Sequence, residues 1–125
     1  MIKLIYCLNR KSDLTREEFL SYWRNTHAEI VKKYQPDLKI VRYIQLHTIA
    51  NDEKNNSVKS TTDKLRQFRG CGEPYDGVAE LWYNNEEDIL NGSKEASMAL
   101  LNDEKKFVDH SRSSIWISIE HRIID

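Results

Sequence analysis

Phe19, Leu20, Trp23, His27, Ile30, Val31 and Tyr34 recur at i, i+3 and i+4 spacing, so one helix must turn a single apolar stripe toward a partner layer. Thr15-Arg16-Glu17-Glu18 is a capping box that opens this helix, which the pattern predicts to run to about Tyr34 and to end at Pro36. Four stretches read as the strands it packs on: residues 2–8, Lys39–Thr48, Tyr75–Tyr83 and Ser114–Ile123. Between the second and third lies a polar excursion over residues 50–74, with one short helix expected near Asp63–Phe68. Acidic Glu86-Glu87-Asp88 opens a second helical region, which Gly92 interrupts and Ser93–Leu101 and Asp103–Val108 continue. The order βαββαβ predicts an α+β, ferredoxin-like split fold within one domain over 1–125: a four-stranded antiparallel sheet with its helices on one face.

Alternation along the strands sorts side chains onto two faces. Leu4, Tyr6, Leu8, Ile40, Ile44, Leu46, Ala79, Leu81, Ile115, Ile117 and Ile119 are expected under the helices. Ile5, Cys7, Val41, Tyr43, Val78, Trp82 and Trp116 are expected on the other face, among Gln45, His47, Glu80, Ser118 and Glu120. No further element remains to cover those aromatics unless the 50–74 excursion folds over them, against which its polarity argues, and a large open apolar patch marks an interaction surface. The sequence therefore predicts a homodimer through the sheet face, with Tyr43, Glu80, Trp82 and Trp116 at the contact.

Net charge is −1 and the basic residues are scattered, which argues against a nucleic-acid partner. The third strand is also acidic where an RNA-binding βαββαβ domain needs a basic, aromatic signature. No apolar run is long enough to predict a membrane span, and the start lacks a leader's cleavage pattern. Cys7 and Cys71 suggest neither a disulfide framework nor a metal site, and the expected setting is cytoplasmic with reduced thiols. The histidines form no paired ligand motif, so no metal is predicted, and phosphate-loop and dinucleotide motifs are lacking.

Several segments together resemble the EthD domain: Met1–Leu4, Leu14–Trp23 followed by Thr26-His27-Ala28, Arg42–Gln45, Tyr75–Trp82 and Phe107–Ser113. The resemblance implies a dimeric α/β barrel and small-molecule chemistry. The range spans ether degradation beside an oxidising system and dehydratase, cyclase or decarboxylase work on polyketides. Some barrel relatives hold haem through an Asn on the first strand and a His in the second helical region. Asn9 could serve as the first, but residues 85–108 contain no His, so haem is disfavoured and no cofactor is expected.

His27, one turn from both Trp23 and Val31, points toward the sheet, where a partly desolvated imidazole can move protons near neutral pH. Its plainer alternative is a core histidine bonded to a carbonyl or an acid. His110, in the loop before the last strand, is the second catalytic candidate. Tyr6, Trp23, Arg112 and Asp76 are the substrate-binding candidates, with Arg112 suited to a carboxylate or enolate. Two functions stay open from the sequence. One is an enzyme of oxidoreductase or dehydratase/cyclase type on an aromatic, polyketide-like or carbonyl compound. The other is a non-catalytic ligand-binding or accessory module.

Overall fold

The capping box forms as the sequence requires: Thr15 Oγ1 accepts from Glu18 N–H at 3.1 Å, and Glu18 Oε1 accepts from Thr15 N–H at 2.9 Å. The computed structural model describes residues 1–49 and 56–125. Its elements are β1 (Ile2–Leu8), α1 (Arg16–Tyr22), a π turn (Trp23–His27), α2 (Ala28–Leu38), β2 (Arg42–His47), α3 (Asn56–Arg69), β3 (Gly77–Tyr83), α4 (Glu86–Leu90), α5 (Lys94–Glu104), a 3-10 turn (His110–Arg112) and β4 (Ser114–Ser118). The sheet runs β2-β3-β1-β4 with every pair antiparallel, which is the ferredoxin-like arrangement.

The first helical run differs from a plain α-helix. Ala28 N–H donates to Trp23 O, five residues back, so the turn between them is widened. Pro36 sits inside the last turn of α2 and does not stop it; the stop is Lys39, whose left-handed backbone (φ 59°) returns its N–H to Gln35 and Pro36 carbonyls. Phe19, Trp23, His27, Val31 and Leu38 are the residues this run buries.

Register fixes the faces. Leu4 lies opposite Leu81 and Ile117, and Tyr6 opposite Ala79 and Ile115, as alternation predicts. β2 corrects the expectation. Tyr43 pairs with Leu81, Gln45 with Ala79 and His47 with Gly77, which puts all three under the helices. Ile44 and Leu46 take the outer face. A bend at Val41 shifts the phase by one residue, so buried Ile40 and Tyr43 share a face although their numbers differ in parity. Tyr43 therefore does not belong to the outer contact surface.

Other boundaries move for local reasons. β4 ends at Ser118, whose pairing with Lys3 is the last in its ladder with β1. α5 ends at Glu104, and Val108 instead bridges to Arg10. The excursion carries a longer helix than the sequence suggested, α3, beside Arg10 and Arg16; residues 50–55 of it lie outside the described residues.

Asp76 is a clamp. It is 3% exposed, its Oδ2 accepts from Arg10 N–H at 2.8 Å, and its Oδ1 lies 2.7 Å from Arg10 and 3.0 Å from Arg16. It thereby ties the end of β1 and the start of α1 to the entry of β3. The next residue has to be glycine: a Cβ on Gly77 would sit 2.4 Å from the Trp23 ring. The indole thus lies directly on β3 backbone, and that contact sets the helix layer's height above this end of the sheet.

Candidate functional site

Between the helices and the sheet lies a cavity of about 370 Å³, walled mainly by apolar side chains such as Leu8, Trp23, Leu81 and Phe107. His27, Tyr6, Tyr43, Glu104 and His110 supply much of its polar lining. A largely apolar hollow with a few converging polar groups is the form of a small-molecule site.

His27 enters from the π turn and is buried against the Phe107 ring, whose centroid lies 5.0 Å away. Its Nδ1 donates to Asp103 Oδ2 at 2.8 Å. Asp103 is itself buried at the end of α5, and its other oxygen accepts from the Tyr22 hydroxyl at 2.6 Å. Lys106 Nζ stands 3.7 Å from that same oxygen. With Nδ1 engaged, Nε2 is the nitrogen left to serve the cavity, and Asp103 holds the ring in one orientation.

One residue further on, Glu104 faces another way. Consecutive helix positions differ by about 100°. Its Oε1 accepts from Tyr6 O–H at 2.8 Å, and His110 Nε2 lies 3.3 Å from the same oxygen. Burial first, then the Glu104 charge, pushes the Tyr6 phenol far above its ordinary value, so it remains a donor.

A third group descends from β2. Gln45 donates to Trp23 O at 2.9 Å and to the Tyr43 hydroxyl at 2.7 Å, and its Oε1 accepts from His47 Nε2 at 2.8 Å. The His47 ring stacks on Trp23 at 4.9 Å. Burial, then neighbouring Arg24, lowers the His47 pKa.

The candidates from sequence thus divide. His27, His110, Tyr6 and Trp23 line one cavity. Asp76 is occupied in its arginine clamp, and Arg112 is turned outward, paired to Asp109 at 2.9 Å and donating to Arg10 O at 3.1 Å. Neither lines the cavity. Sequence reasoning missed Asp103, Glu104, Tyr43 and Gln45. The one signal for the acids was an Asp-Glu pair closing the apolar run Ala99-Leu100-Leu101. Among the described residues no group of three His, Cys, Asp or Glu side chains is placed to hold a metal ion. Asn9, the residue weighed for haem, gives its amide to Arg112 O at 2.7 Å.

A sequence profile of the EthD domain matches residues 11–111. Among solved structures, an ethyl tert-butyl ether d (EthD) family protein from Bacillus halodurans superposes with a TM-score of 0.65 at 16% identity, over 97% of this chain and 99% of that one. A dimeric protein of unknown function and ferredoxin-like fold from Bacteroides fragilis gives 0.61 at 12% identity, over 95% of each chain. HapK from Hahella chejuensis gives 0.59 at 8% identity, over 100% of this chain and 99% of that one. At such identities the likeness shows the fold. Among curated proteins, none matches.

Burial and hydrogen bonding to Asp103 push the Tyr22 phenol up to about 12, and burial takes Tyr43 to about 12 as well. The unfolded chain releases these protons near the ordinary tyrosine value of about 10. Between those values the unfolded state binds fewer protons, so fold stability must fall as pH rises from about 10 to 12. Urea midpoints across that range check this. Tyr22→Phe should flatten the slope, and a slope that the variant leaves unchanged would contradict the assignment.

Proposed function

The chain belongs to the EthD domain family, and from that premise we propose that it is a small-molecule enzyme which moves a proton on an aromatic, polyketide-like or carbonyl compound without a tightly bound cofactor. The observation that carries this reading is His27: buried, fixed through Nδ1 by Asp103, and left with Nε2 for the cavity. An imidazole held in that way suits general acid–base work.

In the proposed step Nε2 takes a proton from carbon beside a carbonyl. The C–H electron pair moves into the carbon framework and the carbonyl oxygen becomes an enolate. Asp103 stabilises the imidazolium that forms. His27 then returns the proton to a departing hydroxyl, releasing water, or to another atom as a ring closes. Glu104, with Tyr6 and His110 on one of its oxygens, is placed to accept from a ligand hydroxyl.

The proposal includes a homodimer through the outer face of the sheet. Trp116 and Leu46 are about half exposed there, at 47% and 49%. At the centre Lys3 bridges to Glu80 at 3.2 Å, and both Lys3 and Arg42 lie over the Trp82 ring at 4.4 and 4.7 Å. A pre-paired charge in an apolar surround can be covered at less cost than a lone one. The dimeric Bacteroides fragilis protein of the same fold supports the arrangement.

Two experiments test the two parts. Against a panel of hydroxylated aromatic ketones, His27→Ala should lower turnover by about 10²–10⁴-fold. Wild-type turnover by that variant would remove His27 from the chemistry, and ligand binding with no turnover by the native protein would favour a binding module. In sedimentation velocity the native chain should run as a dimer and Trp116→Glu as a folded monomer. A native monomer at micromolar concentration would refute the interface.

A further inference from the structure

We propose that Tyr43 is the hydrogen-bond donor of this cavity, aiming its phenolic proton at a carbonyl, enolate or phenolate oxygen of the ligand, and that Gln45 is the positioning residue which fixes that aim. The inference rests on the reading that the cavity takes an oxygen-bearing small molecule, and it assigns a residue that the sequence placed on the opposite face.

The direction of each proton follows from what the partners can do. Trp23 O is a carbonyl and can only accept, so the Gln45 atom 2.9 Å from it must be the amide nitrogen. The widened turn matters here, because it lets that carbonyl take a side chain as well as the Ala28 N–H. The second amide proton goes to the Tyr43 hydroxyl oxygen at 2.7 Å. Gln45 Oε1 accepts from His47 Nε2 at 2.8 Å, which fixes the amide from its other end. Both Gln45 protons are now committed and Tyr43 oxygen is an acceptor toward Gln45. Its own proton must point elsewhere, and among the described residues no acceptor takes it.

Tyr43 lines the same cavity as His27 and Glu104. The Tyr6 proton goes to Glu104 and the Tyr22 proton to Asp103, so neither of those phenols is free in the same way. Burial keeps the Tyr43 phenol neutral and hence a donor across the physiological range.

These groups define a ligand class. Its body is apolar, to suit the walls, and it carries an oxygen acceptor for Tyr43. Glu104 faces the same space, so a ligand that arrives as a full anion is disfavoured there. A neutral carbonyl that gains negative charge only as His27 removes a proton fits best. Tyr43 would then bind the transition state more strongly than the ground state, which is what accelerates a reaction.

The probe for the test is 4-nitrophenol, whose absorbance reports both binding and the fraction ionised. Tyr43→Phe should weaken binding of the probe by about tenfold and lower the ionised fraction of bound probe. Gln45→Met keeps the Tyr43 hydroxyl but removes the amide that fixes its direction, and should shift ionisation in the same direction without adding charge. A role in packing alone would not move the ionised fraction. If Tyr43→Phe binds 4-nitrophenol as tightly and as ionised as the native protein does, the donor assignment is overturned while the cavity reading stands. If the native protein shows no 4-nitrophenol binding that a competitor such as 4-nitroanisole can displace, the cavity reading falls and takes the inference with it.

Discussion

The Asp103 carboxylate is buried where an unpaired charge would be untenable, and everything around it is arranged to satisfy it. One oxygen takes the proton of Tyr22 and the other that of His27, so α5 is bound to both sides of the π turn. Breaking one partner leaves a buried group unsatisfied, which costs far more than an intact bond contributes. This cross-link fixes the orientation of the His27 imidazole. Because Glu104 follows Asp103 directly, it also fixes which acid looks into the cavity and which looks away.

The floor of the site depends on a second constraint, the seat of Trp23 on Gly77. An indole can approach a strand backbone this closely only where no Cβ intervenes. Asp76, immediately before, is held by two arginines from the β1–α1 segment, so the same short stretch anchors both the strand entry and the helix start. The hollow is therefore a consequence of fixed contacts at its ends, with the Asp103 bonds at the helix layer and the tryptophan at the sheet. Gln45 joins the two, reaching from β2 to the opened carbonyl of Trp23.

Much of this was legible in the residues. The apolar stripe, the capping box and the alternation of β1, β3 and β4 carried the topology, because each is a local pattern that tertiary packing reinforces. His27 and Tyr6 fell on the correct side for the same reason. What failed was phase and distance. Nothing in Lys39–Thr48 announces the bend at Val41, and one residue of slip moved Tyr43 and Gln45 across the sheet. A π turn leaves no mark in an i, i+3, i+4 pattern, since buried Trp23 and His27 satisfy it either way. Asp103 and Glu104 read as ordinary acids at a helix end; only the fold brings them against residues some 80 to 100 positions earlier. Asp76 and Arg112 have the right chemistry for a substrate, but nearer partners claim them first.

The proposed chemistry requires that His27 stand with Nδ1 protonated toward Asp103 and Nε2 bare toward the cavity. Nitrogen-15 NMR correlations of the imidazole ring, recorded at mildly alkaline pH, read that tautomer directly. The expected spectrum shows a protonated Nδ1 and an unprotonated Nε2, with the balance altered when Asp103 is replaced by Ala. A ring found with its proton on Nε2 in the native protein would contradict it.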